Sequence, residues 1–336
     1  MIKIKEKMKV AINGFGRIGR AVFKICLDND IEVVAINDIH GPQDAAYLLK
    51  HDSVYGTYKR NVKIKGKDLI VDDKIIKVLT ERDPKKLPWK KLGVDIVVES
   101  TGVFTDVKSA SQHIKAGAKK VLISAPIKGP GKVIVPGVND NIINKSDKVL
   151  SIASCTTNCL TPILKVIDEN FKIKNAFMTT DHAYTASQEL VDGSDKDRRR
   201  GRSGSLNIIP SSTGANQAVE RVLPSLKGKI KGISMRIPVA DGSIVDLVAE
   251  VKKKTSSKQV NAALKKASEN EMKDIIEYSE EELVSSDVIG NPHSAVIDGL
   301  STDVNGDLIK VLAWYDNEFG YSNRMVDIIK KIEKFL

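Results

Sequence analysis

The stretch Ala-Ser-Cys-Thr-Thr-Asn-Cys-Leu-Thr-Pro, residues 153–162, holds two of the three cysteines of the chain. Cys155 and Cys159 lie on one face if this segment is helical. A zinc site would need more cysteine or histidine at close spacing, and the histidines at 40, 51, 113, 182 and 293 are dispersed. A disulfide is disfavoured, because successive helical turns do not offer the geometry it requires. Val149 to Ala153 reads as a strand entering the stretch, with helix from Thr156 onward, so Cys155 falls in the first helical turn. Unpaired N–H groups and the helix dipole there favour a thiolate. Cys155 is therefore either a nucleophile or a second packing cysteine, and spacing alone does not separate the two. Cys159, one turn deeper beside Leu160 and Ile163, reads as a small buried hydrophobe.

A second chemical signal is Asn13-Gly14-Phe15-Gly16-Arg17-Ile18-Gly19, a G-x-G-x-x-G that follows a strand and opens a helix. The first glycine permits the tight turn, the second lets backbone approach a pyrophosphate, and the third lets helix and strand pack closely. Free N–H groups at the helix start meet phosphate charge. Asp38 ends the next strand, where a carboxylate binds both ribose hydroxyls of NAD's adenosine and repels the 2′-phosphate of NADP.

The elements that must hold these residues follow from the apolar pattern. Lys9 to Asn13, Ile31 to Asn37, Val94 to Glu99 and Val121 to Ser124 read as strands. Ile18, Val22, Ile25 and Cys26 recur at helical spacing between the first two. Strand and helix alternate, which predicts a largely parallel sheet. From about Ser151 the texture changes to longer alternating strands: Ala176 to Thr185, Ile233 to Val239, Ser243 to Val251 and Leu308 to Tyr315. Their closeness in sequence predicts antiparallel pairing, with helices such as Ser257 to Asn270 on one face. Met325, Ile328, Ile329, Ile332 and Leu336 line one face of an amphipathic terminal segment. The fold class expected is α/β: a Rossmann doubly wound parallel sheet plus an α+β domain with a mixed or antiparallel sheet.

At 336 residues the chain exceeds one ordinary core, so two domains are expected. No stretch approaches the ~20 apolar residues of a membrane span, and the basic N-terminus has no apolar core of a secretory leader. Few cysteines in a long chain point to a reducing, cytoplasmic setting. The formal charge of +10 fits an anion site or loose nucleic-acid affinity. Lysines scattered among glutamates account for most of it, and only Lys196 to Arg202 is a dense basic run.

Ser154-Cys155-Thr156-Thr157-Asn158-Cys159-Leu160 closely resembles the active-site signature of the glyceraldehyde-3-phosphate dehydrogenase family. The resemblance runs nearly end to end, through the glycine loop, Ile36-Asn37-Asp38, Glu99-Ser100-Thr101-Gly102 and His182-Ala183-Tyr184-Thr185. It continues through Asn207 to Ala215 and Trp314-Tyr315-Asp316-Asn317-Glu318-Phe319-Gly320-Tyr321-Ser322. It implies an NAD-binding domain over 1–154, completed by a C-terminal helix at 318–336, and a catalytic domain over 155–317. It implies phosphorylating oxidation of glyceraldehyde 3-phosphate to 1,3-bisphosphoglycerate by a homotetramer, with no membrane and no dedicated nucleic-acid partner.

By the same resemblance Cys155 is the nucleophile and His182 its base. Thr185 and Arg236 hold the substrate phosphate, while Ser154, Thr156, Thr213 and Gly214 hold the attacking inorganic phosphate. Asn13, Gly14, Gly16, Arg17, Ile18, Gly19, Asp38, Thr101, Gly102 and Ser124 match cofactor contacts, Asn317 and Tyr321 match positions near the nicotinamide, and Phe104 is expected beside the adenine. Arg199, Arg200 and Arg202 fall in a loop that reaches a neighbouring subunit in the family. Many NAD-dependent members carry Leu-Pro where Gly193-Ser194 stands, and a small hydroxyl-bearing pair leaves room for a 2′-phosphate. Asp38 and Ile39 pull the other way, so NAD is expected as the main cofactor with some NADP use. The rival enzyme, erythrose-4-phosphate dehydrogenase, often lacks an aspartate at the position of Asp38. A rival of another class is a nucleic-acid-binding protein on the same fold, against which Cys155 and His182 argue.

Overall fold

The computed structural model describes residues 7–336, and the first six residues of the basic N-terminal stretch lie outside the described residues. The chain divides into two compact units. Among the described residues one comprises 7–134, 141–152 and 322–336, and the other 135–140 and 153–321.

The first unit is built on a nine-stranded sheet. Its strands are β1 (Lys9–Asn13), β2 (Glu32–Asn37), β3 (Val62–Lys65), β4 (Asp68–Val71), β5 (Lys74–Leu79), β6 (Ile96–Glu99), β7 (Lys120–Ile123), β8 (Lys132–Val133) and β9 (Val149–Ser151). Their spatial order is β8-β9-β7-β6-β1-β2-β5-β4-β3. The strands from β8 to β5 pair in parallel, and β4 and β3 add an antiparallel edge. That edge ribbon is missing from the sequence reading. The apolar residues of β3, β4 and the adjoining β5 are split between faces: Leu69, Val71 and Ile76 are buried, whereas Ile64 and Ile75 are exposed.

Helix α1 (Arg17–Asp28) crosses from β1 to β2 and buries Val22, Ile25, Cys26 and Leu27. Helix α2 (Gly41–Lys50) follows β2. Order reverses at β1, whose neighbours are β2 and β6, so the loops after these strands form the crevice where open α/β sheets take ligands.

The second unit carries a seven-stranded sheet of β10 (Ile173–Ala183), β11 (Ile209–Ser211), β12 (Ile230–Ile237), β13 (Ser243–Val251), β14 (Ile276–Ser279), β15 (Ala295–Asn305) and β16 (Leu308–Tyr315). Its order is β11-β12-β10-β13-β16-β15-β14. Pairing is antiparallel except for β10 with β12 and β14 with β15, which are parallel. The β10–β12 pair corrects the expectation of antiparallel neighbours. The segment between them contains β11 and the helix Ala215–Val222, and a crossover of that kind returns the chain in the same direction.

Helices α3 (Cys155–Phe171), α4 (Ala215–Val222) and α5 (Ser257–Glu269) contribute Leu160, Ile163, Val219, Val260 and Leu264 to one apolar core with the inner sheet residues. Helix α6 (Phe319–Glu333) ends the chain. Its face of Met325, Ile328, Ile329 and Ile332 is buried as the sequence pattern predicts, and Lys330 Nζ donates to Asn29 Oδ1 at the end of α1. Leu336 departs from that pattern and is exposed. No described helix is long and apolar enough to cross a membrane.

Candidate active site

The glycine loop shows why those positions lack side chains. A Cβ on Gly14, whose φ is +93°, would lie 2.6 Å from Thr101 N, and one on Gly19 would lie 2.1 Å from Gly14 O. A Cβ on Gly16 would meet nothing within 4 Å, so the space that glycine leaves opens outward. Helix α1 then starts with no side-chain cap and no acidic residue in its first turn, leaving its N–H groups for an anion. Beside the loop is a cavity of about 400 Å³ lined by Gly14, Gly16, Asp38, Thr101, Phe104 and others. This combination fits a dinucleotide.

Asp38 Oδ2 accepts from Phe15 N at 3.0 Å, and Oδ1 accepts from His40 N at 3.0 Å and lies 2.9 Å from His40 Nδ1. Burial disfavours its charge, but the N–H groups of His40 and Phe15 outweigh burial and hold the carboxyl below the ordinary aspartate range. An ionised acceptor at the end of β2 is what a ribose diol requires.

Several expected cofactor residues serve the cradle from beneath. Asn13 is buried, donates to Glu99 Oε2 at 2.6 Å and accepts from Asn37 Nδ2 at 2.7 Å. Thr101 donates to Glu99 Oε1 through its hydroxyl, and through its N–H at 2.9 Å. Trp89 Nε1, a donor only, points at His113 Nδ1 at 2.9 Å. The His113 proton therefore sits on Nε2, 2.9 Å from Glu99 Oε2. Arg17 pairs with Asp52 at 2.8 Å and stacks over the Tyr55 ring. Ile18 is half-buried in the first turn of α1, Gly102 has φ +73°, and Ser124 N donates to Glu99 O at 2.9 Å. Asn37 and Glu99 lie in the quoted motifs without a role of their own, and nothing in the sequence pattern points to Glu81 and Arg82. The last two reach the cavity from the segment after β5, far from Asp38 in sequence.

In the second unit Cys155 is the first residue of α3, and Ser154 is its N-cap, accepting from Thr157 N at 3.2 Å. Ala153, just before, takes φ +59°, and Tyr321 OH donates to Ala153 O at 3.0 Å. Cys155 Sγ lies 3.3 Å from His182 Nε2. The other ring nitrogen, Nδ1, lies 2.7 Å from Ala183 O and 2.7 Å from Arg236 Nη1. Nδ1 bonds one of the two: protonated it donates to the carbonyl, unprotonated it accepts from the guanidinium. The first tautomer turns a lone pair on Nε2 toward the sulfur.

Burial opposes the thiolate that the helix start favours. Burial pushes the Cys155 thiol up to about 11, with Arg236 and the Thr156 N–H opposing it. Burial, reinforced by Arg236, pushes His182 down to about 3. Both shifts favour the neutral forms, and moving one proton from Sγ to Nε2 leaves the summed charge of the pair unchanged. Cys159 is fully buried, its thiol well above its ordinary range, as expected of a packing residue.

Arg236 Nη1 also donates to Ala183 O at 3.1 Å, while its buried Nε has no partner among the described residues. Thr185 Oγ1 lies 2.9 Å from Ser187 Oγ. Thr213 Oγ1 accepts from Ala215 N at 3.2 Å, and α4 opens at Gly214 without a side-chain cap or first-turn acid. Thr156 is buried, its hydroxyl 2.9 Å from Tyr315 OH, which is also 2.9 Å from Thr180 Oγ1. Asn317 Oδ1 accepts from Ser243 Oγ at 2.6 Å. Tyr315 stands edge-on to His182; it lies inside the quoted Trp-Tyr-Asp-Asn motif, a signal that carried no role in the sequence reading. Among the described residues no group of three or more His, Cys, Asp or Glu stands close enough to hold a metal ion.

Fold and site together define an NAD-dependent oxidoreductase with a cysteine–histidine pair. Residues 8–107 match the NAD binding domain of glyceraldehyde 3-phosphate dehydrogenase, and residues 154–317 match the C-terminal domain of the same family. A glyceraldehyde-3-phosphate dehydrogenase of Borreliella burgdorferi is 53% identical over 97% of this chain and 100% of its own. Glyceraldehyde-3-phosphate dehydrogenase 1 of Bacillus subtilis is 52% identical over 97% of this chain and 98% of its own. The Geobacillus stearothermophilus enzyme is 53% identical over 96% and 97%. The chain belongs to the glyceraldehyde-3-phosphate dehydrogenase family.

Proposed function

We propose that the protein catalyses reversible phosphorylating oxidation of D-glyceraldehyde 3-phosphate to 1,3-bisphosphoglycerate, with NAD as its main cofactor and some NADP use. The observation that carries this is the 3.3 Å approach of Cys155 Sγ to His182 Nε2 at the start of a capped helix, with Arg236 on the far side of the ring. His182 takes the thiol proton as Sγ attacks the aldehyde and returns it to the former carbonyl oxygen, so that a thiohemiacetal forms on Cys155 and the ring is again free to act as base. Developing charge on the former carbonyl oxygen meets the N–H groups at the start of α3. His182 then draws the hydroxyl proton, which sets up the hydride departure that leaves a thioacyl group on Cys155. The nicotinamide, when bound, supplies the hydride acceptor. Inorganic phosphate attacks the thioacyl carbon and Cys155 leaves as thiolate.

Arg236 suits the substrate phosphate, since its buried Nε lacks an acceptor and a phosphate oxygen provides one. Thr185 follows just beyond the end of β10, which carries His182. The uncapped start of α4 at Thr213-Gly214, with Ser154 and Thr156, suits the attacking phosphate. Gly14, Gly16, Gly19 and Asp38 would hold the pyrophosphate and adenosine ribose, with Asn317 and Tyr321 toward the nicotinamide.

We assign a homotetramer as the working form. Supporting it, the sheet face of the second unit that turns away from α3, α4 and α5 exposes Phe177 and Ile233, and the loop around 190–208 exposes Leu190, Val191, Leu206 and Ile208.

The test is NAD reduction with glyceraldehyde 3-phosphate, with and without phosphate, in wild type and Cys155→Ser. Phosphate-dependent reduction that vanishes in the variant supports the mechanism. Turnover by wild type with erythrose 4-phosphate and none with glyceraldehyde 3-phosphate overturns the substrate assignment.

A further inference from the structure

Glu99 ends β6, and its side chain is buried behind the lining of the cofactor cavity. The groups that reach its carboxylate have their orientation fixed from outside. The backbone of Glu81 donates to Asn37 Oδ1 at 2.9 Å and accepts from Asn37 Nδ2 at 2.8 Å, so the Asn37 amide cannot turn over. Asn37 Nδ2 also donates to Asn13 Oδ1 at 2.7 Å, which leaves Asn13 Nδ2 to donate to Glu99 Oε2 at 2.6 Å. From the other side Trp89 Nε1, a donor only, takes Nδ1 of His113, so His113 Nε2 donates to the same oxygen at 2.9 Å. Glu99 Oε1 accepts from Thr101 N at 2.9 Å and from the Thr101 hydroxyl, whose own oxygen accepts from Val103 N at 3.1 Å. Both oxygens therefore meet donors, and a carboxylate is the group that accepts on both.

We propose that Glu99 is a positioning residue for the adenosine half of NAD: it ties three walls of the cofactor cavity to one buried group and holds them in place before the nucleotide arrives. The proposal rests on the reading that this cavity takes that half of the cofactor. One wall is the glycine loop, which opens at Asn13. The second is Thr101 to Phe104, where Thr101 bonds Glu99 directly and the Phe104 ring stands edge-on to His113. The third is Glu81 and Arg82, reached through Asn37. All three walls line the cavity, although they come from separate stretches of the chain. A ligand gains affinity when the groups that hold it are already ordered, because less freedom is lost on binding. Glutamine at 99 keeps the size of the side chain but replaces one acceptor by a donor. Turned one way, its NH2 opposes the N–H groups of Asn13 and His113, and neither of those can reverse. Turned the other way, it opposes the backbone N–H of Thr101. Either orientation releases a wall and leaves a buried donor unsatisfied.

The experiment reads nucleotide binding apart from turnover. AMP affinity is measured by calorimetry, and KM for NAD and kcat by steady-state rates, in wild type, Glu99→Gln and Asn37→Ser. The serine variant cuts the tie to Glu81 and leaves Glu99 in place, so it decides the matter if Glu99→Gln does not fold. Glu99→Gln should weaken AMP binding about tenfold or more, the range for a lost hydrogen bond to a charged group. KM for NAD should rise by the same factor. The kcat at saturating NAD should stay within about twofold, because Cys155 and His182 belong to the other unit and only uniform binding is lost. Asn37→Ser should weaken AMP binding about threefold to tenfold. A role in the fold alone would lower the melting temperature of the variants and leave the AMP affinity of the folded protein at the wild-type value; that result in either variant overturns the proposal. AMP heat in wild type that persists when NAD saturates the protein overturns the placement of adenosine in this cavity, and the proposal with it.

Discussion

Cys155 and His182 are each pushed toward neutrality by burial, and Arg236 acts on both, easing ionisation of the thiol and opposing protonation of the ring. The sequence pattern shows the helix start that favours a thiolate but carries no sign of the burial that opposes it, because His182 and Arg236 arrive from β10 and β12. The buried imidazole has a measurable cost at acid pH. A histidine in an unfolded chain protonates near its ordinary value of 6.5, whereas His182 stays neutral down to about 3. Between those values the unfolded chain binds a proton that the folded chain refuses. This contribution to stability is therefore fully present above pH ~6.5 and falls as pH drops toward 3. His182→Asn removes the dependence. The difference in urea midpoint between wild type and variant should shift against the wild type as pH goes from 7.5 to 5, and a pH-independent difference would contradict the neutral buried ring. The same variant should lose on the order of 10²–10⁴ in kcat, the range for a missing general base.

At the scale of elements, what positions the nucleophile is the short passage from β9 into α3. Ala153 holds a left-handed φ of +59° there, fully buried, its carbonyl fixed by Tyr321 OH. A left-handed conformation costs an L-residue ~1–2 kcal/mol. Glycine at 153 relieves that cost but adds freedom to the unfolded chain, worth about 0.4–1 kcal/mol, so Ala153→Gly should change stability little. Ala153→Val adds β-branched strain and crowding together. It should destabilise by more than about 1 kcal/mol and lower kcat, because Cys155 follows two residues later. Thermal melts and kcat on the two variants check this; equal effects from both would mean that the turn is unstrained. The bend itself was not legible, since alanine carries no signature of positive φ. By contrast β1, α1 and β2 were legible, because period and glycine spacing agree there. The strands β3 to β5 were not, because lysines interrupt an apolar pattern that is only half-buried. The parallel pairing of β10 and β12 was hidden for another reason: local alternation identifies strands but not their direction, which the intervening segment decides.

For the whole molecule, the second unit presents a sheet with helices on one side only, and the other side argues for assembly. Phe177 is 66% exposed between buried Ala176 and Met178, so alternation along β10 turns it outward. Its register partner on β13 is Val248, and Lys231 on β12 and Lys310 on β16 extend the same row. Asp246, one outward position along β13, pairs with Lys310 at 2.6 Å. Such a face mixes an apolar centre with charges of both signs, which lets it meet a second copy of itself about a two-fold axis. The net charge of +10 does not oppose this, because the face carries its own acids, including Asp181, whose carboxyl is raised by burial and then by Asp246. Placing a carboxylate at the apolar centre sets like charges against each other across the axis while leaving the core side of β10 unchanged. Phe177→Glu should therefore keep the fold, judged by circular dichroism, and sediment as a smaller species than wild type at equal protein concentration. The effect should weaken in high salt, where the added charges are screened. A variant that sediments as wild type does would exclude this face from the assembly and direct attention to the exposed apolar loop at 190–208.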